Sequence, residues 1–379
     1  MLECTKSVLN KNDKKNDYLP MKILKVIDWP SQRFYCETHP LHKWKSHFRD
    51  SGISIQFIDN HLDKDLAGSD FLFIHSRYFE KGKNIYTEQR QDQEYLINYL
   101  TEVRRSTAKL IWFDASDSSG SSDFSLIPYV DIFLKKQVLK DLSYYTNPRA
   151  NNELRIWLNE TNATSPNYPF PACPADQLKK IRLGWNLGFN DYRYFGYKLS
   201  RLSNYLSYGV YPLKFSKPSI KRELDLTFRG TIHKEENGLN NVMKQRNTTI
   251  NFLNHLNLKI SAGLPVPKIN YWKELRNSKL SVSPYGWGEV CYRDFETFIA
   301  GALLVKPSME HLNTYPDVFK PFETYIPVSW DMNELPQVLE DLTSNYTNYR
   351  EIAQRGQEMY KNTISDGHSF VSRFLEAIS

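Results

Sequence analysis

Residues 281–307, SVSPYGWGEVCYRDFETFIAGALLVKP, read as a strand, a tight glycine loop, a helix and a second strand. The run 279–282 alternates in polarity and stops at Pro284, which cannot donate to a sheet ladder. Gly286 and Gly288 then let the backbone turn sharply and come close to a ligand. From Glu289 the period becomes helical, with Val290, Phe295, Phe298, Ile299 and Ala302 on one side. Gly301 weakens the end of that helix, and 302–305 resumes as a buried strand. On the opposite side Glu289, Arg293 and Glu296 are four and then three residues apart, which aligns them in one stripe. A helix entered from a glycine loop offers free N–H groups and a positive dipole end to an anion. An Arg one turn in adds a bidentate phosphate contact, and a Glu further on accepts hydrogen bonds from ribose hydroxyls. The same three side chains would also make an ordinary solvated, salt-bridged face, and spacing alone leaves both readings open.

Alternating strands and helices occupy the rest of the chain. Strands are expected at 21–29, 53–58, 70–75, 109–113 and 130–134, with helices at 41–51 and 88–105. A second series follows: strands at 224–228, 259–262 and 325–329, and helices at 247–258, 271–277, 335–342, 349–363 and 370–378. This order implies parallel βαβ units and doubly wound sheets, whose ligands sit beyond the carboxyl ends of the strands. At 379 residues there is room for two such domains. The expected division is a polar tail over 1–20, an N-terminal domain over 21–222 and a C-terminal domain over 223–379. No G-x-G-x-x-G follows the first strand, which argues against a nicotinamide dehydrogenase.

The formal charge of +6 mildly favours anionic ligands or an anionic membrane surface, but the cations are scattered, so nucleic acid is not expected as a partner. Cys4, Cys36, Cys173 and Cys291 lack C-x-x-C spacing, which argues against a zinc site or disulfide framework and for reduced, cytoplasmic thiols. No apolar run reaches the ~18 residues of a membrane span, and the N-terminus has no signal-peptide core.

Three places besides the glycine loop carry candidate chemistry. Asp114 and Asp117 follow the fourth strand, where a carboxylate can act as general base on a hydroxyl, or simply cap the next element. His75 ends the third strand and is more readily a packing residue than a catalyst. Arg229-Gly230-Thr231 ends the strand at 224–228, aiming a second guanidinium at the cleft that Arg293 faces. Two cations on a leaving diphosphate do the work a metal does elsewhere, and no D-x-D motif stands at a strand end to hold one. The stretch 182–222 mixes Tyr, Phe, Lys and Arg; it suits packing between domains, contact with a sugar acceptor, or a membrane surface. The segment 147–174, rich in Asn, Pro and Thr, reads as a long loop or lid.

The pattern S-P-x-G-x-G at 283–288, R-x-F-E at 293–296 and G-A-L-L-V-x-P at 301–307 resembles the donor segment of GT-B glycosyltransferases, nearest to the exostosin-like and CgeB-like groups. The resemblance runs loosely over 223–364. It implies an α/β protein of two Rossmann-like domains facing a cleft, with the last helix crossing back onto the first. It also implies a cytoplasmic, metal-independent enzyme of polysaccharide biosynthesis, moving a hexosyl or pentosyl unit from a nucleotide-sugar to a glycan or other hydroxyl acceptor. On this reading Arg229, Gly230, Thr231, Ser283, Tyr285, Gly286, Gly288, Arg293 and Glu296 hold the donor, while Asp114, Asp117 and Glu289 are the catalytic candidates. In the large retaining families two glutamates bracket this helix with a slightly longer gap; here Gly288 stands at the first position and Glu289 one further on. A nucleotide-sugar epimerase and a non-catalytic glycan- or nucleotide-binding module are the competing functions.

Overall fold

The computed structural model describes residues 20–28, 36–80, 90–120, 122–146, 171–193, 201–231 and 241–379. The expected tail, most of the loop 147–174, the start of the helix at 88 and residues 194–200 lie outside them.

Two parallel sheets organise the chain. The first takes β1 (Lys22–Ile27), β2 (Ile53–Ile58), β3 (Ser69–His75), β4 (Thr107–Asp114) and β5 (Ile132–Lys135). After β6 (Gln137–Leu139), which leaves this sheet, β7 (Ile181–Leu183) completes it in the order β2-β1-β3-β4-β5-β7. The second takes β8 (Leu224–Arg229), β9 (Ile260–Gly263), β10 (Ser278–Val282) and β11 (Leu303–Pro307). A short β12 (Leu312–Thr314) stands apart, and β13 (Ile326–Val328) completes the order β13-β11-β10-β8-β9. Strands such as β4, LIWF through 110–113, are fully buried continuous apolar runs, as parallel strands covered on both faces must be.

Both sheets share one winding. The chain lays two strands outward, then returns across its first strand to build the other way, so the direction reverses between β1 and β3 and again between β8 and β10. Crevices open beyond the carboxyl ends of strands at such reversal points. One is bounded by Asp28 and His75, the other by Arg229 and Ser283. The fold class is the expected one, two Rossmann-like lobes of the GT-B kind.

Among the described residues the lobes are joined at several places, three of them as follows. β6 and β12 pair antiparallel, Leu139 opposite Leu312. A buried carboxylate, Glu289, reaches across from the second lobe to the backbone of the first. The last helix, Gly367–Ile378, leaves the second lobe and seats Phe370, Phe374 and Ile378 among Trp44, Phe48 and Trp185 against the first sheet. Its start is fixed by Asp366, which accepts from the Ser369 N–H at 2.9 Å.

The expected helix at 41–51 is two short helices, His39–Lys43 and Lys45–Asp50, broken at Trp44. β7 was not anticipated: at three residues it has too little pattern to show a period.

Candidate functional site

The helix expected from Glu289 begins instead at Tyr292, with Cys291 as its N-cap. The cause is a buried polar knot. Asp294 accepts from the Cys291 N–H (2.9 Å) and the Ser283 hydroxyl (2.6 Å). It is also ion-paired with Lys306 at 2.7 Å, and both side chains are fully buried. Lys306 donates further to the Glu289 carbonyl at 2.7 Å. Glu289 therefore lies before the helix and off the stripe that Arg293 and Glu296 share. Its carboxylate faces the first lobe, accepting from the Ser119 N–H (2.9 Å) and hydroxyl (2.6 Å). This position makes Glu289 a strut between lobes rather than a group facing a ligand.

Ser283 and Tyr285 are also turned inward. The Tyr285 hydroxyl donates to the Ser308 carbonyl and its N–H donates to Gln245 Oε1 at 2.9 Å. Thr231 is exposed outside the cavity walls, while Gly230 runs beside the Arg293 guanidinium, 3.5 Å from where a Cβ would stand.

A cavity of about 580 Å³ opens at the reversal point of the second sheet, walled by Arg229, Arg246, Gly286, Gly288, Arg293 and Glu296. Arg229 is already committed: both Glu274 oxygens accept from it at 2.8 and 2.9 Å, and Ser261 and the Ala262 carbonyl take further N–H groups. Arg293 differs. Its guanidinium stacks 4.8 Å over Phe228 and donates to the Arg229 carbonyl, yet its buried Nε has no hydrogen bond among the described residues. Arg246, on the helix Asn241–Leu253, also has a buried Nε without a partner there. Burial lowers the Arg246 pKa, and the neighbouring Arg293 pushes it the same way. An Ala at Gly286 would bring its Cβ to 2.8 Å from Arg246 Nη2. Glu296 accepts from the Tyr271 hydroxyl at 2.6 Å, and burial raises its carboxyl pKa above the ordinary range.

Across the cleft, Asp117 faces the same cavity with 42% of its side chain exposed. One oxygen accepts from Arg77 at 2.8 Å and Lys136 at 3.0 Å. Burial opposes ionisation of Asp117, but these two cations outweigh it and hold its pKa below the usual carboxylate value. Asp114 does not reach the cleft; it is 1% exposed, paired with Lys135 at 2.7 Å and bonded to Ser122 and Ser116. His75 is fully buried, and that burial holds its pKa low. Glu37, buried beside it, accepts from Arg77 at 3.1 Å.

Gly288 packs its backbone directly against the Asp117 loop of the first lobe. A Cβ there would lie 1.6 Å from the Asp117 carbonyl oxygen and 2.2 Å from its carbon. Gly288→Ala should force the glycine loop away from the Asp117 loop. Small-angle scattering should then show a larger radius of gyration with far-UV circular dichroism unchanged; an unaltered radius would contradict this contact.

Of the site residues expected from the sequence, Asp117, Arg229, Gly286, Gly288, Arg293 and Glu296 meet at one cavity; Asp114, Gly230, Thr231, Ser283, Tyr285 and Glu289 do not line it. Arg246 and Tyr271 were not foreseen. The only local sign of Arg246 is a cation on the helix that follows β8, the strand with the glycine end.

No family model matches the chain, and no curated protein matches it. Among solved structures, an alpha-glucosyltransferase in complex with UDP and a 13-mer DNA containing a HMU base is 10% identical, with 95% of this chain and 100% of that chain covered and a TM-score of 0.45. The DNA-modifying enzyme beta-glucosyltransferase is 11% identical, with 94% and 99% covered and a TM-score of 0.44. TarM is 9% identical, with 83% and 56% covered and a TM-score of 0.44. Likeness at this level speaks to neither substrate nor reaction, and the exostosin-like and CgeB-like kinship stays a resemblance of motif. The exclusion of nucleic acid is withdrawn as a correction: the solved structures that the chain resembles include ones in complex with DNA. Among the described residues no helix is long and apolar enough to cross a membrane.

Proposed function

We propose that the chain is a glycosyltransferase that draws a sugar from a nucleoside-diphosphate donor and passes it to a hydroxyl acceptor across the cleft. One observation carries this reading: Arg246 and Arg293 bring two guanidiniums, each with a buried Nε that no described residue bonds, to one cavity at a sheet reversal point. Buried donors left without partners are rare and costly, and a diphosphate would satisfy both at once. Arg229 supports the wall from within the second lobe. Glu296, held by Tyr271, accepts from the ribose hydroxyls, and Pro265 and Val266 supply an apolar wall for the base.

In the transfer, Asp117 takes the proton of the acceptor hydroxyl as the acceptor oxygen bonds to the anomeric carbon. The bond from that carbon to the phosphate oxygen breaks, and the electron pair leaves with the nucleoside diphosphate, whose charge the two guanidiniums stabilise. No step in this account calls on a metal. We take residues 21–222 as the acceptor domain and 223–379 as the donor domain.

Asp117→Asn should cut kcat by about 10²–10⁴-fold while changing donor KM little, as loss of a general base does. Because its folded pKa is depressed, Asp117 stays ionised down to below the ordinary carboxylate range, so it should impose no acid limb on the rate between pH 5 and 8. A hundredfold fall with a matching rise in donor KM would place Asp117 in donor binding instead.

The first experiment is a thermal-shift screen across UDP, GDP, dTDP, ADP and CMP. A preferred nucleotide stabilises by mass action, and no shift with any diphosphate would count against the reading. An epimerase is the second reading, favoured by the compact set of Glu37, His75, Arg77, Asp117 and Lys136 beside the cleft. Incubation with donor alone separates the two: a transferase releases nucleoside diphosphate slowly to water, an epimerase returns an isomer with the nucleotide still attached, and a binding module does neither.

A further inference from the structure

Residues 202–211 form the most conspicuous apolar surface that the cleft does not use. Leu202, Tyr205, Leu206, Val210, Tyr211 and Ile220 are all exposed, Tyr205 at 86% and Leu206 at 78%. Isolated exposed apolar residues are ordinary, but five within 202–211 are not. Charge follows the same stretch. No Asp or Glu occurs over 192–222, while Lys214, Lys217 and Lys221, which follow in the chain, are exposed.

The presentation is fixed at both ends. Arg193 donates to the Ser203 hydroxyl at 2.8 Å and stacks 4.8 Å over Tyr208, whose ring also meets His39 edge-on at 5.4 Å. Beyond the patch, the Ser216 N–H donates to the Ile299 carbonyl at 2.9 Å, and the buried Arg222 donates to the carbonyls of Lys217, Ser278 and Ala300. Tyr208 is thus the side chain turned inward, and its neighbours are held outward between two anchors.

We propose that 202–221 is a docking surface for a membrane of anionic lipid. Aliphatic tips enter the headgroup boundary, tyrosines rest at its level, and the lysine stems place their ammonium groups against lipid phosphates. Charge complementarity selects this occupant: a stretch without a single carboxylate, with cations that follow the apolar tips in the chain, fits an anionic interface better than a mixed-charge protein face. The proposal is independent of the chemistry assigned to the cleft.

The test is co-sedimentation of the full chain with phosphatidylcholine vesicles, with and without 30% phosphatidylglycerol (about one third anionic lipid, in the range where surface charge dominates binding). Binding is expected only with phosphatidylglycerol, weakening at least tenfold in Tyr205→Ser/Leu206→Ser and, separately, in Lys214→Glu/Lys217→Glu. Circular dichroism checks that each variant folds; the substituted side chains are exposed. Failure of the wild type to bind phosphatidylglycerol vesicles, or undiminished binding by Tyr205→Ser/Leu206→Ser, would overturn the proposal. So would light scattering that shows a lipid-free dimer broken by that variant, which would make the patch a contact between copies. Binding lost only in the lysine variant, together with equal loss of binding to a duplex DNA probe, would also overturn it, marking a general anion surface.

Discussion

Arg246→Ala combined with Arg293→Ala should weaken binding of the stabilising nucleoside diphosphate by at least about a hundredfold, since each charge-assisted contact contributes about 1.5–3 kcal/mol. Either single variant should lose roughly tenfold or more on the same basis. The singles should not add up to the double, because each guanidinium now raises the cost of holding the other: they share a cavity, and Arg293 already disfavours the charged form of Arg246. Calorimetric titration with the diphosphate and the matching monophosphate separates the effect on the β-phosphate from the rest. If the double variant binds the diphosphate as tightly as wild type, the phosphate assignment fails, and with it the reading of the cleft.

Lys306→Met should destabilise the fold by about 3–5 kcal/mol, the cost of stranding a buried charge. Asp294 would remain fully buried at the helix entry with its ion-pair partner gone, and the Glu289 carbonyl would lose a donor as well. Unfolding in urea should show the loss as a lower midpoint with an unchanged slope. Adding Asp294→Asn should recover part of it, because the uncompensated charge is removed while the cap to the Cys291 N–H is partly kept. A single variant as stable as wild type would mean that this pair does not fix where the helix begins.

The same pair explains which parts of the site could be read in the residues alone. Periodicity located the strands around the glycine loop, and the apolar runs of β3, β4 and β11 are long enough to announce parallel, doubly covered sheets. Arg293 and Glu296 were legible as cavity residues because they sit one turn apart within a true helix. Glu289 was misplaced because a helical period extrapolates smoothly backwards through Val290. What stops the helix is a capping contact between the Cys291 N–H and Asp294 three residues on, masked by Cys where Ser or Thr is usual, and a lysine from the next strand, which has no signature in spacing. Arg229 was misjudged for a related reason. Its position at a strand end was right, but Glu274, forty-five residues away, occupies it. Arg246 could not have been found from pattern, since only the packing of its helix against Gly286 brings it to the cleft. Asp114 and Asp117 illustrate how finely strand ends decide: three residues apart, one meets Lys135 inside the lobe and the other turns to the cavity.

The seating of Phe370, Phe374 and Ile378 against Trp44, Phe48 and Trp185 bears on how the protein is made. A ribosome completes the first sheet at Leu183, well before the helix Gly367–Ile378 that roofs one side of it. The nascent lobe must therefore wait with an oily face uncovered, a natural client for chaperones, until residues 367–378 have emerged.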